Sequence, residues 1–245
     1  MFNGFNRQAT EFLAGIRANN NKPWFEAHKE IYQSEVYRPL CELAQELFEP
    51  YSGISDMMFK SGRIYKDPFL SPEIRYRDTM WIYVRHEAYW WNKTPALFFE
   101  ISPDGAAAGF RIQKPDARVL EQLRNNISDE KDELLKLYRE IKSDKRFTVV
   151  TEQYKRRKEG AQPFNEELFN IRGISIHSII TDGRTLYSKG LKKKVAETFE
   201  AVFPIEEYFN ELVKNDFINK AKKEISDTNP FEQQMTKAPD VDFMW

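Results

Sequence analysis

Polar and apolar positions divide the chain into stretches of two different periods. Phe12, Leu13 and Ile16 share a face at helical spacing, and Asn19-Asn20-Asn21 closes that run. Pro23 stands where a first helical turn tolerates a missing N–H. Trp24, His28, Ile31/Tyr32 and Glu35/Val36 follow at three- and four-residue steps. Leu40, Leu43 and Leu47 resume the stripe beyond Pro39. Because an interior proline removes a backbone hydrogen bond at a cost of about 3 kcal/mol, a kink or break is expected near Tyr37-Arg38-Pro39. Pro50 and Gly53 end the element.

From Phe59 the pattern changes. Thr79 to His86, Ala96 to Ser102 and Ala108 to Gln113 are short, aromatic and β-branched, and bounded by Pro, Asn or Gly, as strands are. Pro103-Asp104-Gly105 is a turn: proline presets φ, aspartate bonds its own backbone and glycine accepts positive φ. It predicts a hairpin pairing Phe98-Phe99-Glu100-Ile101 with Ala108-Gly109-Phe110-Arg111, with Glu100 paired to Arg111 across it. Asp116 caps a helix with Leu120, Leu123 and Ile127, and Ser128 or Asp129 starts another with Leu134, Tyr138 and Ile141. Arg146 to Gln153 reads as a strand, Pro163-Phe164 opens a loop or short helix to Asn170, and Ile174 to Thr181 is the last strand. Leu191, Val195, Phe199 and Val202 mark one helix. Ile205, Phe209, Leu212 and Phe217 mark a second after Pro204.

Helices, strands, helices, strand, helices is an order without regular βαβ alternation. It predicts an α+β fold, a mostly antiparallel sheet flanked by helices from both halves of the chain. Residues 1–225 form one expected domain, and 226–245 a polar tail whose final Phe243-Met244-Trp245 is apolar enough to dock back. The 41% apolar fraction, with 19 Phe, 11 Tyr and 5 Trp, supplies ample core. A formal net charge of -1 argues against a general binder of nucleic acid or membrane surface. No apolar run approaches the roughly 20 residues that span a bilayer, no signal-peptide pattern opens the chain, and the cytoplasm is the expected location. Cys41, the single cysteine, permits no internal disulfide or cysteine cluster. It is expected to be a buried, inert thiol. His28, His86 and His177 lack metal-ligand spacing, and no glycine-rich phosphate loop occurs, so no metal or cofactor is expected.

The chemically dense stretch is Ser61-Gly62-Arg63-Ile64-Tyr65-Lys66-Asp67-Pro68-Phe69, continuing through Arg75-Tyr76-Arg77-Asp78 to Met80-Trp81-Ile82-Tyr83-Val84-Arg85. Five cations stand among its aromatics. Here the chain resembles the DUF2461 family of uncharacterised bacterial proteins. Asn19-Asn20-Asn21-Lys22-Pro23-Trp24-Phe25 is similar to that family's Asn-Asn…Trp-Phe element, and Arg63-Ile64-Tyr65-Lys66-Asp67 to its Arg-x-x-Arg-Asp signature, with Lys66 at the second arginine. Pro95 to Ile101 with Gly109-Phe110 resembles its central hairpin, and Tyr154-Lys155-Arg156 a later element. The resemblance implies a shared fold and no established reaction.

Three functional readings follow. Arg63, Tyr65, Lys66, Asp67, Arg75, Tyr76 and Arg77, extended by Lys155, form a site for an anionic small molecule or nucleotide, since charge-assisted hydrogen bonds are the strong ones. Alternatively, the same surface with Lys155 to Lys158 holds single-stranded nucleic acid between basic and aromatic groups, a partner the net charge disfavours. In the third, Arg63–Asp67 and Arg77–Asp78 are internal ties in a protein-interaction domain. Carboxylates such as Glu73, Asp78, Glu87 and Glu100 name no catalytic pair by themselves.

Overall fold

The computed structural model describes residues 1–66, 74–87 and 93–228, with the backbone alone for 219–228. Helix α1 (Arg7–Ala18) is capped by the Asn6 side chain, which accepts from the Gln8 N–H. Asn21 does the same for α2 (Lys22–Ala27), accepting from the Trp24 N–H with Pro23 in the first turn. Short α3 (Lys29–Ile31) leads through a π-helical turn, Tyr32–Tyr37, into α4 (Arg38–Phe48). No break interrupts the helix at Pro39, and the irregularity expected near Tyr37-Arg38-Pro39 takes the form of a π turn. The wider π turn, in which the Arg38 N–H reaches the Gln33 carbonyl, carries the chain past the proline with no interruption.

Strands β1 (Met57–Ser61), β2 (Met80–His86), β3 (Ala96–Ser102) and β4 (Gly105–Ile112) form an antiparallel meander. After α5 (Ala117–Asn126) and α6 (Glu133–Ser143) come β5 (Thr148–Gln153), α7 (Glu166–Phe169) and β6 (Ile171–Ile180). Then α8 (Gly183–Leu186) precedes the long α9 (Gly190–Thr228). The six strands lie in the order β1-β2-β3-β4-β6-β5, every neighbouring pair antiparallel. The fold is α+β, as the element order implied. Second-helix residues start at Glu133, capped by Asp132, later than Ser128. Strand β1 itself is an addition to the sequence expectation.

Pro204 does not divide two helices; α9 runs through it. The residue is exposed and offers no N–H to the Glu200 carbonyl, and the flanking apolar stripe holds both halves on the sheet. The helix also extends past Ser226, where a tail was expected to begin. Residues 229–245, with Phe243-Met244-Trp245, lie outside the described residues.

One face of the sheet carries the core. Met80, Ile82 and Val84, then Leu97, Phe99 and Ile101, then Ala108, Phe110 and Ile112, then Ile174 and Ile176 alternate onto that side and meet the helices. Phe5 stacks on Phe99 with centroids 6.1 Å apart, and Phe209 of α9 meets Phe110 at 5.6 Å. Gly109, opposite His177, is a point of close approach between strands. A Cβ there would stand 2.0 Å from the Ile176 carbonyl oxygen and 2.6 Å from the His177 Cα. These are backbone atoms and cannot swing aside. Gly109→Ala should therefore cost about 2–3 kcal/mol, at the upper end for overpacking. Urea unfolding measures it; a midpoint matching the parent would contradict the crowding.

Candidate functional site

Past Ser61 and before Met80 the β1–β2 pairing continues as an irregular ribbon. The Gly62 N–H donates to the Trp81 carbonyl (2.7 Å), Arg77 to Ile64 (2.7 Å) and Lys66 to Arg75 (2.9 Å), and Tyr65 and Tyr76 form an isolated bridge. Asn20 reads both backbone groups of Tyr76: its Nδ2 donates to the carbonyl and its Oδ1 accepts from the N–H, each at 2.9 Å. Asparagines 20 and 21 thus fix the ribbon and cap α2. Gly62 has no side chain because the Trp81 indole occupies that space, 2.6 Å from an added Cβ.

The ribbon scatters the residues that stand close in sequence. Tyr76 is buried and stacked on Phe25 at 4.4 Å, a packing role, while Tyr65 meets the same ring edge-on at 5.6 Å and stays exposed. Arg63 is exposed on the side of Tyr37, whose phenol it influences electrostatically. Lys66 acts on Asp78, Arg75 on Tyr76 and Arg77 on Tyr83. Asp67 lies outside the described residues, as does Glu73. The expected Arg77–Asp78 tie is replaced: Asp78 accepts from Arg17 Nε at 2.6 Å, and Arg17 also holds Asp104 at 2.9 Å. Arg63, Lys66, Arg75 and Arg77 form no ion pair among the described residues.

Lys155 does not join them. It follows β5, the opposite edge strand, and Gln153 pairs with Ile171 at the other strand ends from the ribbon. Four or five strand spacings put it about 20 Å away or more across the sheet. Its neighbours are engaged locally, Arg157 with Glu166 and Lys158 over the Tyr154 ring at 4.8 Å. Lys192 likewise pairs with Glu46 at 2.6 Å. Among the described residues, strand order separates the two halves of the groove expected from Arg63 to Lys158.

What the structure does assemble lies on the other face of the sheet. Alternation sends Trp81, Tyr83 and Arg85 of β2 away from the core, with Ala96, Phe98 and Glu100 of β3, Ala107, Gly109 and Arg111 of β4, and Ser175 and His177 of β6. Phe98 is 1% exposed, yet stands apart from the continuous apolar core. Arg111 explains part of that. Its arm runs along the strand over the Phe98 ring, 3.4 Å from guanidinium carbon to centroid, and forks onto both Glu100 oxygens at 2.7 and 3.0 Å. Small Gly109 and Ala107, opposite Phe98 and Glu100, leave the arm room to lie down. The hairpin pairing expected of Glu100 and Arg111 is present.

Tyr83 stands at the centre of this face. Its hydroxyl is 3.4 Å from Arg111 Nη1, its ring is 4.7 Å from Trp81, and both Arg77 and Arg85 interact with it electrostatically. Burial pushes the phenol up, against the pull of Arg111 and Arg77. Arg85 is 8% exposed, its Nη1 is sealed from solvent without a hydrogen-bond partner among the described residues, and burial disfavours its charged form. Arg111 Nε is likewise unpartnered. His177, with Nδ1 3.2 Å from the Ser175 hydroxyl, is held below the usual imidazole range by burial and then by Arg111. It is therefore neutral at physiological pH. The clue in the sequence was the alternation Met80/Ile82/Val84 against Trp81/Tyr83/Arg85, which sorts one strand into an apolar face and an aromatic, cationic one.

Among the described residues no group of three or more His, Cys, Asp and Glu could hold a metal, and no helix is long and apolar enough to cross a membrane. Cys41 is partly buried, with Sγ 3.7 Å from the Ser61 hydroxyl. No curated protein matches the chain. Residues 8–208, which span Asn20 and Asn21, the ribbon, the whole sheet and the first half of α9, match the family described as conserved hypothetical protein (DUF2461), and the chain belongs to that family.

Proposed function

We propose that the chain binds an anionic small molecule around Tyr83, on the face of the sheet turned away from the core. The observation that carries this is the gathering of Arg77, Arg85 and Arg111 about one phenol, with Glu100 as the carboxylate acting there among the described residues. A buried guanidinium with an unmet N–H costs several kcal/mol unless an anion answers it. Of the stretch singled out in the sequence, Arg77 belongs to this site, while Arg63 lies on the side of Tyr37 and Tyr76 holds the ribbon. A nucleic-acid track is not favoured, since the basic run at Lys155 stands at the opposite corner and Arg157 is already paired.

The test is a melting-temperature screen with inorganic phosphate, pyrophosphate and citrate on the parent and on Arg85→Met. A native-state ligand at about 100 times its dissociation constant adds about 2.7 kcal/mol, so the parent should melt higher with an anion. The variant should lose that response while melting no lower without ligand, because an apolar residue of similar size relieves a buried unpaired charge. An unresponsive parent, an Arg85→Met that fails to fold, or salt-sensitive retention on single-stranded DNA in preference to small anions would each overturn the reading.

A further inference from the structure

The arrangement over Phe98 goes beyond holding an anion. The guanidinium carbon of Arg111 stands 3.4 Å from the Phe98 ring centre, within stacking distance, and its fork edge is occupied by Glu100. Its Nε is sealed, yet the side chain keeps 18% of its surface open. Phe98 takes one face of the guanidinium and Glu100 one edge, so a ligand's approach is to the opposite face. A guanidinium backed by an aromatic ring and pinned by a carboxylate is a rigid, planar, electron-poor platform. Arginine planes of this kind stack on unsaturated rings in a way lysine does not match.

Polar groups border the platform on both sides. The Tyr83 hydroxyl is 3.4 Å from Arg111 Nη1 on the β2 side. On the β6 side stands His177, its ring 6.2 Å from Phe98 and its Nδ1 engaged by Ser175, which leaves Nε2 to face other groups. Extending the β2–β3 register one step sets Arg85 opposite Ala96, itself opposite Arg111. The two arginines therefore spring from strands two spacings apart, about 10 Å.

Resting on the anion-binding reading, we propose that the ligand carries a planar unsaturated ring together with its anionic group, as a mononucleotide does. The ring stacks on Arg111 between Tyr83 and His177, and the anion meets Arg85. Phe98 and Glu100 are positioning residues for the platform.

Calorimetric titration of the intact chain with mononucleotides, phenyl phosphate, ribose phosphate, inorganic phosphate and uncharged nucleosides tests it. Base stacking on such a platform predicts that at least one ring-bearing phosphate binds about tenfold tighter than ribose phosphate. Arg111→Lys, which keeps the charge and loses the plane, should bring that ratio near one. Phe98→Leu should do the same, with folding checked by circular dichroism. If ribose phosphate binds as tightly as every ring-bearing phosphate, or if both variants keep the parent's preference, the ring inference fails and the anion reading stands. Nucleosides binding as well as nucleotides, with no response to phosphate, would uphold the platform and remove the anion reading. Binding of none of these compounds would overturn both.

Discussion

Glu206→Gln should stabilise the fold, by almost nothing near pH 4.5 and by about 5 kcal/mol above pH 8. Glu206 sits on α9 with 0% exposure, and neither carboxyl oxygen has a hydrogen-bond partner among the described residues. Burial, with Glu207 adding to it and Lys214 opposing, raises its pKa to about 8. Tyr51, from the turn after α4, feels the same carboxyl and Glu200, and is itself pushed up to about 12 mainly by burial. The folded pKa lies above the unfolded one. Between the two values the unfolded chain is ionised while the folded chain stays protonated, so unfolding releases a proton and stability falls as pH rises. The loss levels off once the folded group also ionises. Glutamine resembles the protonated acid in size and polarity, so it matches the parent at low pH and escapes the loss at high pH. Urea unfolding of both proteins from pH 5 to pH 9 should give curves that diverge by up to about 1.4 kcal/mol per unit. Parallel curves would mean that the carboxyl is ionised and satisfied in the folded state.

Such a group is invisible to pattern reading. Glu206 stands beside Ile205 and two residues past Pro204, and nothing in that spacing separates it from exposed Glu207. Its burial follows from the continuity of α9 through the proline, which local rules read as a division. Pro39 is a partial case in the first half, where the expected kink or break takes the form of a π turn. Helix and strand periods, by contrast, were legible because they reflect which side faces the core. The turn at Pro103-Asp104-Gly105 fixed the β3–β4 register, and with it the meeting of Glu100 and Arg111.

The candidate site was legible in composition and illegible in place. Cations from Arg63 to Arg85 do supply two of the three guanidinium groups around Tyr83. Density along the chain, however, says little of convergence. An antiparallel ribbon turns Tyr76 onto Phe25 and Arg77 toward Tyr83, although they are neighbours in sequence. Lys155 was drawn in by charge and excluded by strand order, a long-range property with no local signature. Arg111 and His177 enter the site through pairings 28 and 94 positions from Tyr83, which only the assembled sheet creates.

Glu100→Gln should cost about 3 kcal/mol of stability, far more than loss of the exposed Arg17–Asp78 pair. The Arg111 and Glu100 side chains are 18% and 26% exposed, and the fork uses two hydrogen bonds. Removing the charge from one partner leaves a guanidinium pressed on Phe98 with its own Nε already unmet, so the penalty is that of a stranded cation. Arg111→Met strands the carboxylate and should cost a similar amount. Replacing both, Glu100→Leu with Arg111→Met, should recover most of the loss, since an apolar pair of similar volume suits a half-buried sheet face as well as a fork does. The resulting double-mutant cycle should show a coupling of about 2 kcal/mol or more. Arg17 offers the contrast: nearly half exposed between Asp78 and Asp104, it should shift stability by less than about 1 kcal/mol when replaced by methionine. Additive costs in the Glu100–Arg111 cycle would show that the fork is not what holds the platform flat. A strong coupling would establish that Arg111 is immobilised before any ligand arrives, and that its plane is a fixed feature of the face around Tyr83.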